Sequence, residues 1–247
     1  MPTSTTEVPF SKTPPSLLPV RHCSKTAHCS GVYGAGIVVF VFALAVEAKV
    51  GDSSESSFCT ESKECLLYNL TCTGNGYEVR RYEETKWVSV DVESAFMEMA
   101  ISKAFWKLFR YIMGSNDAGM KIDMTAPVII KGPDSRSMLQ SSGFTISFLL
   151  PSTFQLKQTP IPNPTESSVY LSETPSMQVY VKSYGGWMSF ISSRMQSSAL
   201  RMALRAAGAS YTTGFHYDVG YNSPMKMTDR HNEVWYLVEG KPVCSAV

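Results

Sequence analysis

Apolar residues recur at helical spacing in two stretches of the chain and alternate with polar ones in several others. Between residues 95 and 113, Ile101, Phe105, Leu108 and Ile112 follow one another at intervals of four, three and four, the period of one helix face. Gly114 stands where helices commonly end. The spacing predicts a helix over 95–113 and a second over 190–207, closed by Gly208. Residues 77–92 carry Val79, Trp87, Val88 and Val90 among other β-favouring side chains and predict a strand or hairpin. Further strands are expected over 124–131, 144–150, 169–171, 177–184, 218–226 and 233–238, with Gly185-Gly186 as a turn. Phe144, Ile146 and Phe148 alternate along one strand face. Helices mixed with mostly antiparallel strands give an α+β class.

Two strings read alike: K-I-D-M-T-A-P-V at 121–128 and V-G-Y-N-S-P-M-K-M at 219–227. Each follows an amphipathic helix. Each is expected to set a proline just inside a strand, where a central ladder position would not tolerate it. The repetition predicts two pseudo-symmetric copies of a helix-plus-strands unit, joined by the link that carries Pro160, Pro162 and Pro164.

Composition narrows the class. With 44% hydrophobic residues the chain can bury a real core. Net charge is +1, and removing the first 48 residues takes three of the 22 Lys/Arg and two of the 21 Asp/Glu, leaving 19 of each. A neutral chain with no basic block argues against nucleic acid as a partner. Residues 32–46 form an uncharged apolar run, short of the ~20 residues of a spanning helix. With Arg21, His22 and Lys25 upstream and small residues after it, the run predicts a leader over 1–48. That leader is a cleaved signal peptide or an uncleaved signal anchor, and only the anchor would hold the chain to a membrane. Residues 49–75 are expected to form an extended, cysteine-bearing arm, and 241–247 a tail. After cleavage Cys59, Cys65, Cys72 and Cys244 remain, an even set that predicts two disulfides, one of them joining the cluster to Cys244. Gaps of five and six residues lack zinc-site spacing. Asn69-Leu70-Thr71 is a glycosylation acceptor inside the cluster. Export to the secretory lumen or beyond is the expected destination.

Catalytic signatures are missing: no G-x-S-x-G, H-E-x-x-H, G-x-G-x-x-G or P-loop occurs. Beyond the leader only His216 and His231 remain, neither at a recognisable spacing from an acid or nucleophile, and both are expected in solvated loops. A non-enzymatic binding role is the better fit. Phe105 and Phe109 lie four apart on the first helix, bordered by Ser102 and Arg110. With the Phe144–Ile146–Phe148 strand face they form either plain core or the wall of an aromatic cleft suited to a flat ligand.

Five strings in order, Y-E-V-R-R-Y-E-E-T-K-W-V-S-V, Y-I-M-G-S-N-D, M-T-A-P-V, G-Y-N-S-P-M-K and N-E-V-W-Y-L-V, resemble the SOUL haem-binding proteins over about residues 77–238. The resemblance implies a SOUL domain over 76–240, with a distorted, barrel-like antiparallel sheet and one helix packed on it from each repeat. It also implies a shallow groove for haem or another tetrapyrrole beside the first helix. Carried over by position, that groove is lined by Ser102, Phe105, Phe109 and Arg110 from the helix and by Phe144 and Phe148 from the strand. Tyr221 and Lys226 of the second repeat complete it. The phenylalanines would stack on the macrocycle, and Arg110 and Lys226 would meet its propionates. Some members carry a histidine, proposed as an iron ligand, where this chain has Arg81, whose guanidinium stays protonated. Haem would therefore be weakly ligated or not ligated, and no metal ligand is assigned. Two alternatives follow from the same resemblance. One is a role in cell-death control through a BH3-like segment at 200–205, where Arg205 replaces the motif's Asp. The other is binding of a different small apolar molecule.

Overall fold

A computed structural model describes residues 50–134 and 141–244. The expected leader, with its apolar run, lies outside the described residues. In chain order come β1 (Val50–Asp52), β2 (Glu64–Leu66), β3 (Asn69–Gly74), β4 (Tyr77–Tyr82), β5 (Thr85–Ser94), α1 (Met97–Ile112), β6 (Val128–Pro133) and β7 (Ser142–Leu149). After a single helical turn, α2 (Ser152–Gln155), follow β8 (Val169–Thr174), β9 (Met177–Tyr184), α3 (Phe190–Ala206), β10 (Phe215–Gly220) and β11 (Asn232–Leu237).

Among the described residues one antiparallel sheet of nine strands runs β3-β4-β9-β11-β10-β6-β7-β5-β8. Exchanging β4, β5, β6 and β7 with β8, β9, β10 and β11 reverses the order of these eight strands. The two repeats are thus related by a twofold axis between β6 and β10, with β3 as an addition at one edge. Each repeat places its first strand in the other's half of the sheet, β4 beside β9 and β8 beside β5.

Two short links bend the sheet. Only Glu83 and Glu84 separate β4 from β5, which stand six places apart. In a flat sheet that is roughly 29 Å, yet three Cα steps reach at most about 11 Å. Pro175 and Ser176 impose the same constraint on β8 and β9. The sheet must curl until its two ends approach, and Ser176 Oγ donates to the Tyr82 carbonyl at 3.2 Å where they meet. The edge strands β3 and β8 do not pair with each other. The expected barrel is therefore an open, curled sheet.

Both helices cover one face. Ile130, Asp218 and Val234 stand opposite one another across β6, β10 and β11 and so point the same way. Ile130 packs under α1, Val234 under α3, and Asp218 accepts a hydrogen bond from Ser193 of α3. The other face carries Tyr82, Trp87, Ile129, Leu149 and Trp235, drawn into one cluster from both ends of the sheet. The cysteine-bearing segment covers it: Val50, Cys59, Cys65 and Leu66 are buried there. That segment holds the β1–β2 ribbon and β3. Disulfides join Cys59 to Cys65 and Cys72 to Cys244, with Cα atoms 6.3 and 5.8 Å apart.

Three expectations need correction. Residues 77–92 form two strands but no hairpin, because β4 and β5 take partners on opposite sides of the curl. The strand expected at 218–226 is β10, which ends at Gly220, so Pro224 lies in the β10–β11 loop. The two proline strings are consequently not topological equivalents: one precedes β6, the other follows β10. Lastly, α1 is turned partly away from its expected face: Leu108 and Ile112 are buried as expected, but Ile101 and Phe105 are not, and the buried stripe is Met97, Ala100, Ala104, Leu108, Tyr111 and Ile112. Two alanines let the helix approach the sheet closely, leaving Phe105 and Phe109 half-buried at its flank.

Candidate binding groove

The rotation of α1 creates the candidate site. Phe105 and Phe109 form one wall of a cavity of about 230 Å³. Met124, Thr125, Ala126 and Val128, from the segment entering β6, form the floor. Tyr221 to Pro224 of the β10–β11 loop stand opposite, with Glu61 and Ser62 at the rim. The two proline strings, unequal in topology, thus face each other across one groove.

Each wall is fixed by identifiable contacts. The Phe105 and Phe109 rings lie 12° from parallel with centroids 5.8 Å apart. Phe148 meets Phe105 edge-on at 5.3 Å from beneath. Ala126, whose bond to Pro127 is cis, is held by β2: its carbonyl accepts from Leu66 N at 2.9 Å and its N–H donates to the Glu64 carbonyl at 3.2 Å. Thr125 Oγ1 donates to the Leu149 carbonyl at 2.6 Å. The opposite loop is latched to the cysteine-bearing segment, since Glu61 accepts from both Ser223 N and Ser223 Oγ, at 3.0 and 2.9 Å.

Behind Tyr221 lies a buried ionic cluster. Glu233, with no solvent exposure, accepts from Arg80 at 2.8 Å, His231 Nε2 at 2.7 Å, Trp235 Nε1 at 2.7 Å and the Tyr221 hydroxyl at 3.2 Å. Burial pushes the Glu233 carboxyl up, but the His231 hydrogen bond and the Arg80 charge outweigh it and hold the group below its ordinary 4.5. Burial drives the Tyr221 phenol well above 10. Tyr221 therefore offers the groove a neutral ring while its hydroxyl is committed to Glu233, and no tyrosinate is available there.

The structure gathers some predicted residues and disperses others. Phe105, Phe109 and Tyr221 line the cavity. Phe148 is 1% exposed and props Phe105 without reaching the surface. Phe144 is buried at 2% and lies beside a different depression, with Lys131 and Phe215. Ser102 and Arg110 are exposed on α1, outside the lining. Arg110 donates to Glu166 at 2.8 Å, and that bond leads the causes holding the Glu166 carboxyl down at about 2. Lys226 Nζ donates to Thr60 Oγ1 at 3.0 Å, near the rim. Arg81 is exposed on β4 and paired with Glu83 at 3.1 Å. Met124, Glu61 and Asn222 were missed; the proline strings that contain Met124 and Asn222 were the available signal.

Both histidines depart from expectation, having carboxylates close by. His216 is buried in β10, with Nδ1 2.9 Å from Asp134 and Nε2 3.3 Å from Ser193 Oγ. A serine, histidine and aspartate so placed have the order of a nucleophilic triad. Here, however, the Ser193 hydroxyl donates to Asp218 at 2.8 Å, and the adjoining space of about 10 Å³ holds about one water. No substrate carbonyl could reach that hydroxyl. His231 stacks on Phe58 at 4.1 Å and serves the Glu233 cluster.

Comparison with known proteins gives a consistent picture. The family model described as "SOUL heme-binding protein" matches residues 63–237. Heme-binding protein 2 of Homo sapiens is 39% identical over 166 residues, covering 67% of this chain and 80% of that protein. Heme-binding protein 1 of Mus musculus is 32% identical over 181 residues, covering 71% and 93%. Among solved structures, the C-terminal domain of EcmrR superposes with a TM-score of 0.50 at 10% identity, covering 70% of this chain and 99% of that one. At that identity the likeness speaks for the fold alone.

Proposed function

The chain belongs to the SOUL heme-binding protein family, and from that premise we propose that it binds haem or a related tetrapyrrole, without transforming it, in the groove beside α1. The observation that carries this reading is the stacked Phe105–Phe109 pair, half-exposed and propped by Phe148. Aromatic side chains in the core interlock; this pair presents its flank to an open space. At about 230 Å³ the cavity falls below the roughly 300–1,000 Å³ of enclosing sites. A macrocycle would therefore be gripped along one part and lie over the rim with the rest.

Neither histidine nor cysteine lines the groove. The Met124 thioether is the one lining side chain left of a type that ligates haem iron. We assign it no bond, so that binding rests on stacking and burial and iron-free porphyrin binds comparably to haemin. Of the two cations proposed for the propionates, Lys226 is the better placed: it would exchange the Thr60 hydroxyl and the field of the rim carboxylate Glu61. Arg110 would have to leave Glu166. In Phe105→Ala/Phe109→Ala, each lost aromatic contact removes ~0.5–1.5 kcal/mol beyond burial, so haemin and protoporphyrin affinity both fall about tenfold or more. An unaltered haemin titration in a folded double variant would discard this groove.

Two disulfides support an oxidising compartment, and no helix of the described residues is long and apolar enough to cross a membrane. We place the protein in the secretory lumen or outside the cell, with Asn69, exposed on edge strand β3, as its glycan site. Mass spectrometry of protein released from secreting cells tests this: an unmodified Asn69 or free thiols would reject it. The interaction role through 200–205 is disfavoured, because Leu200 and Leu204 are fully buried against the sheet.

A further inference from the structure

Outside the groove, the most unusual surface is the outward side of the two helices. On α1, Met99 and Trp106 lie seven residues apart, and Met113 at the helix end lies seven further, which brings all three onto one line. They point away from the Ala100–Ala104–Leu108 stripe that meets the sheet. On α3, Ile191, Met195 and Met202 do the same opposite the buried Ser193, Ser197 and Leu200. All six are exposed, Trp106 by 59%, Ile191 by 70% and Met202 by 65%. Both helices lie on the same face of the sheet, and their N-terminal ends touch, since Glu98 of α1 accepts the Phe190 N–H of α3 at 2.8 Å. The two ridges therefore lie on the same side of the sheet and meet at their N-terminal ends.

Charge on that surface has one dominant sign. Lys103, Lys107 and Arg110 flank the α1 ridge, and Arg194, Arg201 and Arg205 flank that of α3. Glu98 is the only acid on either helix, and it is used on Phe190. Glu166 answers Lys107 and Arg110, and Asp134 lies within the field of Arg201. Lys103, Arg194 and Arg205 have no ion pair among the described residues. We propose that this two-helix face docks peripherally on an anionic lipid surface exposed to the lumen or the exterior, the side on which the chain is placed, and not on the cytoplasmic leaflet. Large apolar side chains between basic ones are the pattern of helices that lie in the membrane interface. A second copy of the chain would fit poorly, because apposed copies would set the same uncompensated cations against one another.

Tryptophan supplies the test. Trp106 and Trp187, the latter just ahead of α3, are 59% and 50% exposed, while Trp87 and Trp235 are 1% and 0%. The full-length protein is mixed with phosphatidylcholine vesicles, with or without phosphatidylserine, whose acyl chains carry bromine. Emission should be quenched on the phosphatidylserine vesicles, and Trp106→Phe/Trp187→Phe should abolish the quenching while Trp87 and Trp235 still report a folded core. Arg194→Glu/Arg205→Glu should weaken partitioning by more than about thirtyfold, since loss of two basic residues at about 1 kcal/mol each already gives that factor and the new carboxylates add repulsion. Haemin titration should be unchanged in Arg194→Glu/Arg205→Glu, whose positions lie outside the groove lining, and this separates failure here from failure of the groove. The tryptophan variant does not serve as that control, because Trp106 packs on Phe105 and Phe109 and Trp187 stacks on Arg230. Absence of quenching, or quenching that is indifferent to phosphatidylserine, overturns the proposal. So does a dimer in sedimentation that the arginine changes dissolve.

Discussion

Glu233 and Arg80 come from strands 153 residues apart in sequence, and both side chains are essentially without solvent. Two charges so deep are tolerated because every remaining lone pair on the carboxylate is used, by His231, Trp235 and Tyr221. Glu233→Gln should therefore cost about 1.5–3 kcal/mol, because Arg80 loses its buried partner while Glu78, at 2.7 Å from Nε, still answers its charge, measured as a shift in the urea midpoint. The pH dependence has a definite sign. Glu233 titrates below its ordinary 4.5 in the folded chain, and Asp134 below its 3.8. The stabilisation they give is complete above those values and is lost as pH falls through the lower folded ones. The urea midpoint should fall as pH drops below about 5, and the fall should shrink in Glu233→Gln. Part of this was legible in the chain, since His231 and Trp235 stand two residues to either side of Glu233 and so share its face, but Arg80 lies 153 residues away and no local pattern places it there.

At the scale of elements, the helices were legible and their orientation was not. The period of residues 95–113 locates α1, but Ile101 and Phe105 promised to face the core. Ala100 and Ala104, weak hydrophobic signals, decide otherwise by allowing close approach to the sheet. The groove exists because of that difference, so the same ambiguity that left Phe105 and Phe109 as either core or cleft hid the site. β-favouring composition located most strands, while pairing depended on the curl, which no local pattern records. The second helix owes its start to a reciprocal cap, with Ser189 Oγ accepting from Ser192 N at 3.2 Å and Ser192 Oγ accepting from Ser189 N at 2.8 Å. Ser189→Ala should cost about 1 kcal/mol in chemical denaturation. Because Phe105 and Phe109 belong to α1, porphyrin affinity should remain as it was.

For the molecule as a whole, the Cys72–Cys244 bridge spans 172 residues and ties the edge strand β3 to the end of the chain. Closing so long a loop restricts the unfolded chain strongly, so Cys244→Ser should lose about 2–5 kcal/mol. Thermal melts of the variant and of the reduced native protein should then coincide, if the Cys59–Cys65 bridge, which closes a gap of only six residues, matters less. A reduced protein far less stable than the variant would reverse that ranking.

The mirrored strand order has a last implication. Because β4 completes the neighbourhood of β9, and β8 that of β5, neither repeat contains its own finished half-sheet. A fragment holding one repeat would leave hydrogen-bonding edges unanswered until a second such fragment arrived to trade strands with it. Two identical fragments could satisfy that need mutually, so a strand-exchanged homodimer is the simplest forerunner of the single chain, with fusion making the exchange permanent. The proposed groove, walled by one repeat's helix and the other's loop, would then have begun as a feature of the interface between two subunits.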